Sequence, residues 1–209
     1  YIFPGYQPFD GAVCENIRIT DNVFEDVFAG VGSHSMIYDR PYRNIVIQGN
    51  TFRNVKKRAV WCLNYVDSAV EDNIIENAGG GVLVSCMYFP NTHLIPGTVA
   101  GMEGNHQNAG ISVKNNQISI SSVSQINGNI WRGYGIEVQG AWVSDSSKAQ
   151  AKGIPVGIYK ENGVAVKGNM ITGTGNGIRL YLADGCTVEN NQLKLKKTAS
   201  FSNMGIYLS

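Results

Sequence analysis

The sequence predicts an all-β protein whose chain winds into a parallel β-helix of about six turns, and three observations predict it. A short apolar strand followed by an asparagine recurs six times, and a second apolar strand follows each asparagine after about nine residues. The shortest repeat is 22 residues, from Asn169 to Asn191. This is too short for two parallel strands joined by a crossover helix, but it suits a three-sided coil of strands.

The first motif is clearest in residues 44–52, NIVIQGNTF, and aligning its copies brings six asparagines into one register. Stacked coils lie about 4.8 Å apart, so we expect the amides to form a ladder that bonds from turn to turn. We interpret these asparagines as scaffold and not as site residues. They are Asn22, Asn50, Asn73, Asn116, Asn169 and Asn191.

The second motif is an apolar-x-apolar strand that is usually introduced by glycine, as in Gly81-Val82-Leu83-Val84 and Gly177-Ile178-Arg179-Leu180. Because the repeat runs from end to end, we predict a single β-helix domain over residues 1–209. The chain starts at Tyr1 without Met and stops within a strand-like run. We therefore expect it to be part of a longer protein.

Composition argues against several classes of function. The net charge is +1 and the longest run of Lys and Arg is the three residues 56–58, so we expect no nucleic-acid partner. No apolar run reaches the ~18 residues of a membrane span. The four cysteines form no CxxC pair and the three histidines lack helix-type ligand spacing. We expect free, mostly buried thiols, no metal built on histidine and no cofactor; a calcium site formed by oxygen ligands is possible, but no cluster of carboxylates supports one.

The connections between coils are unequal in length, and this predicts a groove. Three of the five connections from the second strand motif to the next repeat are enlarged, at residues 32–44, 85–110 and 139–163, and one further insertion lies at about 119–134. Stacking brings the three enlarged connections to the same corner. Long loops in a compact domain are usually functional, so we expect these loops to wall a groove over the adjoining sheet.

Alternation along the second strand sends one row of side chains outward into that groove. The row contains Gly32, Trp61, Leu83, Glu137, Arg179 and Tyr207, and two places further on come His34, Leu63, Ser85, Gln139, Tyr181 and Ser209. Aromatic rings along a groove stack on sugar rings. We therefore predict a substrate-binding set of Trp61, Tyr65, Tyr181, Tyr207, Gln139 and Trp142.

Candidate catalytic residues lie in the same groove. His34 leaves the groove sheet where Asp10 and Asp39 occupy matching places before their asparagines, and a histidine near a carboxylate is a standard general acid/base arrangement. Both aspartates also suit ordinary turns. Glu137 and Arg179 fall on adjacent coils about 4.8 Å apart, where they form either part of the site or a cross-strand salt bridge.

The repeated strands with their asparagine register resemble the right-handed parallel β-helix of the pectate-lyase-like superfamily, over essentially the whole chain. The resemblance implies an extracellular or cell-surface protein that binds a polysaccharide and cleaves it as a lyase or a glycoside hydrolase. In lyases of this fold an arginine or lysine deprotonates a uronate sugar, which gives Arg179 a possible role. The same fold also occurs in surface adhesins and phage tail spikes, so the alternative is a non-catalytic binding module, oligomeric if it resembles a tail spike.

Overall fold

The chain forms a right-handed parallel β-helix of about six turns, as its repeats predict. The computed structural model describes residues 14–33, 41–85, 109–121, 124–126, 129–131, 133–143, 157–198 and 203–209, with the backbone alone for 124–126, 129–131, 141–143, 157 and 159. The strands of this part are numbered β1 to β25 in chain order. Each coil contributes one strand to each of three parallel sheets.

Within each sheet the strands of successive coils stack side by side. Sheet 1 consists of β1 (Glu15–Thr20), β4 (Tyr42–Gln48), β8 (Ala69–Glu71), β11 (Ile111–Lys114), β19 (Val164–Lys167) and β23 (Thr187–Glu189), with β7 (Tyr65–Val66) beside β4. Sheet 2 consists of β2 (Val23–Glu25), β5 (Thr51–Arg53), β9 (Ile74–Ala78), β12 (Gln117–Ile120), β20 (Met170–Gly173) and β24 (Gln192–Leu195). Sheet 3 consists of β3 (Val31–Gly32), β6 (Arg58–Leu63), β10 (Gly80–Ser85), β15 (Tyr134–Gln139), β21 (Asn176–Tyr181) and β25 (Ile206–Leu208).

Three small strand pairs lie outside these sheets. They are the antiparallel pair β13 (Ser124–Ile126) and β14 (Asn129–Trp131), the antiparallel pair β16 (Ala141–Val143) and β17 (Gly157–Tyr159), and the parallel pair β18 (Glu161–Asn162) and β22 (Ala183–Asp184). The first pair belongs to the insertion between sheets 2 and 3, and the second belongs to an enlarged connection from sheet 3 to sheet 1. The extra length therefore lies at the predicted corners. The predicted wall over the groove falls largely on loop residues outside the described part and stays a prediction.

Two corners of every coil place one residue in the left-handed backbone region. The first corner lies within two residues of the start of each strand of sheet 1. Its residues are Asn16, Asn44, Asp67, Gly110, Gly163 and Gly185. The other immediately precedes the ladder asparagine, at Asp21, Gly49, Asp72, Asn115, Gly168 and Asn190. Only Gly, Asn and Asp occur at these twelve places, because they adopt positive φ at low cost.

The asparagine ladder is confirmed, and its bonds follow one rule. The backbone N–H and the Nδ2 of each of the first five asparagines donate to the Oδ1 of the asparagine in the next coil. Asn73 donates in this way to Asn116 at 3.0 and 2.9 Å, and Asn116 donates to Asn169 at 3.0 and 2.9 Å. The second hydrogen of each Nδ2 bonds a strand carbonyl, as from Asn116 to the Val70 oxygen at 2.9 Å. The central asparagines are fully buried, so the ladder satisfies amides that would otherwise be costly inside the core.

The core is a column of aliphatic side chains enclosed by the three sheets. The residues of sheet 3 that alternate with the outward row, Val60, Val82, Ile136 and Ile178, are all buried. The fifth, Ile206, is 54% exposed because no described coil follows its own. Glycine introduces these strands because the backbone is crowded there, and a Cβ on Gly81 would lie only 2.1 Å from the Gly135 oxygen.

The described cysteines are free, as expected, but their burial differs. Cys62 is buried, Cys186 is partly buried and Cys14 is exposed. The expectation of mostly buried thiols is wrong for Cys14, because this residue precedes β1 on the outermost described coil. Cys86 lies outside the described residues.

The ladder predicts that replacing one of its central asparagines strongly destabilises the protein. Replacing Asn116 by Ala leaves the Asn73 backbone N–H, one Asn73 amide hydrogen and the Val70 carbonyl without their partners inside the core. We expect a loss of about 3 kcal/mol or more in the free energy of unfolding, at roughly 1–3 kcal/mol for each unpaired buried group. Urea denaturation measures this loss. Asn22→Ala at the exposed end of the same ladder is the matched control, with an expected loss of about 1 kcal/mol or less, and equal losses would contradict the role of burial.

The thiols predict selective labelling. Burial, together with the neighbouring Glu161 carboxylate, raises the pKa of the Cys62 thiol well above its usual range, and the thiolate is the reactive form. We expect iodoacetamide to modify Cys14 in the native protein and Cys62 only after denaturation, even at a mildly alkaline pH that ionises exposed thiols. Mass spectrometry of the labelled peptides locates the modification. Native labelling of both residues at similar rates would show that the core opens at this position.

Candidate binding face

The outer surface of sheet 3 carries the row of side chains that the repeats predict. Strand pairing places Gly32 beside Trp61, Trp61 beside Leu83, Leu83 beside Glu137, Glu137 beside Arg179, and Arg179 beside Tyr207. The second predicted row is in register as well, with Leu63, Ser85, Gln139 and Tyr181 on consecutive strands. We call the outer side of sheet 3, from Trp61 to Tyr207, the binding face.

Not every side chain that points outward on this face is exposed to solvent. Trp61, Arg179 and Tyr207 are partly exposed, whereas Leu83 and Glu137 are buried although they point away from the helix core. For Glu137 the burial comes with two partners. Its side chain lies within an ion-pair network and not at an open surface.

Glu137 binds two arginines, one on each side. Its Oε1 accepts from Arg179 Nη1 at 2.9 Å and its Oε2 accepts from Arg58 Nη2 at 2.8 Å. The exposed side-chain fractions are 5% for Glu137, 13% for Arg58 and 24% for Arg179. The predicted pair of Glu137 and Arg179 is thus confirmed, but it is one half of a partly buried triad with an excess of one positive charge.

Arg58 reaches Glu137 across an intervening strand, and its role was missed in the sequence. It lies on β6, two strands from β15, so the side chains of Arg58 and Glu137 together bridge at least about 10 Å, twice the strand spacing. Its neighbour on the strand between is Gly80, which has no side chain to block the path. Burial lowers the pKa of Arg58, partly against the raising effect of Glu137. The feature of the sequence that could have indicated this contact is the run Gly79-Gly80-Gly81, which falls beside Arg58 when the repeats are aligned.

Three tyrosine rings surround the guanidinium of Arg179. Its Cζ lies 4.6 Å from the ring centre of Tyr181, 5.7 Å from that of Tyr134 and 5.9 Å from that of Tyr207. These distances are within the range of attraction between a cation and an aromatic face. The Nε of Arg179 is buried without a hydrogen-bond partner among the described residues. Tyr134, which the sequence reasoning also missed, immediately precedes the glycine that introduces β15.

A second group of cations and rings lies toward the first coils. The Lys57 Nζ lies 4.3 Å from the ring centre of Trp61 and 6.0 Å from that of Phe28, and the Arg58 Cζ lies 5.5 Å from Trp61. Partial burial and, next, the charge of Arg58 lower the pKa of Lys57. The described side chains on the face thus bring three cations against one carboxylate.

One predicted binding residue is not on this face. Tyr65 pairs with Tyr42 in sheet 1, is 5% exposed and packs in the core, with the two rings 5.4 Å apart. Asn64, with φ of 59°, turns the chain after β6 and ends the alternation on which the prediction relied. Burial raises the pKa of the Tyr65 phenol. Tyr65 offers no ring face to a ligand from this position.

The other predicted residues divide into two groups. Gln139 is partly exposed beside Tyr181. The backbone of Trp142 lies in β16, but its side chain is outside the described part, as are His34, Asp10 and Asp39 entirely. The acid/base role given to His34 with Asp10 or Asp39 therefore stays a prediction.

The geometry limits what Glu137 can do. Both carboxylate oxygens accept hydrogen bonds from guanidinium groups, which leaves Glu137 placed to orient the arginines and not to take a proton from a substrate. Among the described residues, no three His, Cys, Asp or Glu side chains lie close enough together to hold one metal ion. No helix in the described part of the chain is long and apolar enough to cross a membrane.

Comparisons of this chain with models of known protein families, with curated protein sequences and with solved structures gave no significant match. The fold and the side chains of the binding face are therefore the basis for a functional assignment.

The triad predicts a large difference between two glutamates that both pair with arginine. Glu137→Gln leaves two partly buried guanidinium groups without their counter-charge, and we expect it to lower the free energy of unfolding by about 3 kcal/mol. Glu76→Gln is the matched control, because Glu76 pairs with Arg53 at 2.9 Å with about half of each side chain exposed. We expect this change to cost about 1 kcal/mol or less. Chemical denaturation of both variants compares them, and similar losses would contradict a buried triad.

Proposed function

We propose that this protein binds a polysaccharide chain on the binding face of sheet 3. The observation that carries the proposal is the guanidinium of Arg179, held by Glu137 within 6 Å of three tyrosine ring centres. The apolar side of a sugar ring packs against aromatic faces, and its hydroxyl and carboxyl groups bond to the polar groups beside them. Arg179 and the tyrosines offer both kinds of contact on a rigid sheet.

The charges on the face favour an acidic polysaccharide. Lys57, Arg58 and Arg179 outnumber Glu137, so a chain of uronic acid or sulfated sugars meets an excess of positive charge. The rows of the face repeat at the strand spacing of about 4.8 Å. Such a surface suits a linear chain that contacts several coils in turn.

The three-sheet coil with a buried asparagine ladder also supports membership of the pectate-lyase-like superfamily as a proposal. That assignment favours an extracellular or cell-surface protein. Cleavage of the bound chain, by elimination or hydrolysis, depends on His34, Asp10 and Asp39. A binding module like a surface adhesin or a tail spike needs only the face that the structure describes, and the saturation of Glu137 by two arginines favours this second candidate.

The test is a binding measurement with variants on and off the face. We expect the protein to bind one or more members of a panel of uronic-acid, sulfated and neutral polysaccharides, measured by affinity electrophoresis or calorimetry. Tyr181→Ala and Arg179→Ala each remove a central contact and should weaken binding roughly tenfold or more, equivalent to about 1.4 kcal/mol. Arg53→Ala removes an arginine on sheet 2 and should leave the affinity unchanged.

The same samples separate binding from cleavage. Release of reducing or unsaturated sugar ends, lost in His34→Ala, would support an enzyme, and sustained binding without product would support the module. No binding to any member of the panel, or equal affinity of all variants, would overturn the proposal.

A further inference from the structure

A lysine beside the binding face lacks a counter-ion among the described residues. Lys57 immediately precedes β6 and is partly exposed. No described carboxylate lies within salt-bridge distance of its Nζ, whereas Lys114 and Lys167 each pair with a glutamate. The neighbouring Arg58 adds a like charge. An anion bound at Lys57 relieves the repulsion between these two cations.

The ring of Trp61 holds this lysine in place. The Nζ of Lys57 lies 4.3 Å from the ring centre, and the Cζ of Arg58 lies 5.5 Å from it. A cation is attracted to an aromatic face at such distances, and the contact restrains a side chain that is otherwise highly flexible. The ring is thus already engaged by cations of the protein. This favours a role for Trp61 as their support over its predicted role as a sugar platform.

Lys57 and Arg179 mark two cationic places on the face that lie well apart. Trp61, which supports Lys57, pairs with Leu83, Leu83 pairs with Glu137, and Glu137 pairs with Arg179. Three strand spacings, roughly 14 Å, therefore separate the two places. The positions between them are closed to a ligand, because Leu83 is 3% and Glu137 is 4% exposed. A ligand that contacts both cations has to bridge this gap.

One chain of contacts connects the two places. Arg58, which lies against Trp61, donates to Glu137 at 2.8 Å. The other oxygen of Glu137 accepts from Arg179 at 2.9 Å. Because these side chains stand on paired strands and hold one another, the separation of the two cations is set before any ligand arrives. A ligand whose charges match that separation binds at little cost in ordering the protein.

We propose that the binding face has two anion subsites, one at Lys57 and one at Arg179, and that a single linear acidic polysaccharide occupies both. Carboxylate or sulfate groups of the chain supply the anions. The inference rests on the polysaccharide binding proposed above and adds Lys57 to its binding residues. Because the second contact forms within a ligand that is already bound, the affinity increases once a fragment is long enough to reach both subsites.

Fragments of increasing length test the two subsites by calorimetry. The probes are size-fractionated alginate, which carries carboxylates, dextran sulfate, and dextran, which has the backbone of dextran sulfate without its charges. For at least one charged series we expect the affinity to rise roughly tenfold or more over a narrow range of length and then to level off. Dextran should show no such rise. The two charged series distinguish recognition of a carboxylate from recognition of a sulfate.

Variants of Lys57 assign the rise to this residue. Lys57→Met removes the charge and keeps an unbranched side chain, so long fragments should bind it no better than short ones. The affinity of the shortest fragments should hardly change, because they still bind at Arg179. Lys57→Arg keeps a cation and should keep the rise. Lys114→Met, which removes a positive charge from sheet 1, is the matched control and should also keep it.

The outcomes separate this inference from the proposal on which it rests. Charged fragments that bind equally well at every length, or a rise that persists in Lys57→Met, would refute the second subsite and leave polysaccharide binding in place. If no fragment or polymer binds the parent protein, both proposals are wrong. Circular dichroism and urea denaturation establish that each variant is folded.

Discussion

The whole structure depends on the stacking of coils at the spacing of hydrogen-bonded strands. Each coil must turn three times and return one strand spacing higher, so its corners must superpose on those of the coil before. Positive φ at two corners and the asparagine ladder at one of them meet this requirement. The ladder does so with groups that satisfy one another inside the core, so that a strongly polar residue becomes compatible with complete burial. Once the corners are fixed, every other position falls into a row.

The rows explain why the charged side chains of the candidate site lie together on sheet 3. A side chain on sheet 3 has its nearest neighbours on the adjoining coils, far away in the sequence, as Glu137 has Arg179 42 residues later and Arg58 79 residues earlier. The sheets themselves are rigid, so the rows hold their side chains at fixed separations. The enlarged connections enter at the corner where sheet 3 leads into sheet 1. The connections, whose lengths differ most from coil to coil, therefore lie beside the regularly spaced strands of sheet 3.

The sequence was sufficient for whatever follows from the repeat and insufficient for whatever depends on the size of individual side chains. The ladder, the strand order and the pairing of Glu137 with Arg179 follow from register alone. The reach of Arg58 over Gly80 depends on the missing side chain of that glycine and on the length of an arginine, which periodicity does not encode. Alternation gave the direction of Leu83 but not its burial, and it failed for Tyr65 because Asn64 turns the chain into another sheet.

The triad on the binding face has an energetic implication for function. Two guanidinium groups and a carboxylate held largely away from water carry a desolvation cost that their mutual attraction only partly offsets, and apolar replacements of similar size are often as stable or more stable. The same row shows that an apolar side chain fits, because Leu83 occupies the preceding position and is 3% exposed. Folding alone therefore does not require charges at 58, 137 and 179. Their effect is to fix the guanidinium of Arg179 among three tyrosines, an orientation that a lone, flexible arginine would hold only at a cost in conformational entropy. A fixed cation among aromatic rings loses little conformational entropy when it meets a ligand, and this is the strongest physical reason for the proposal that sheet 3 binds one.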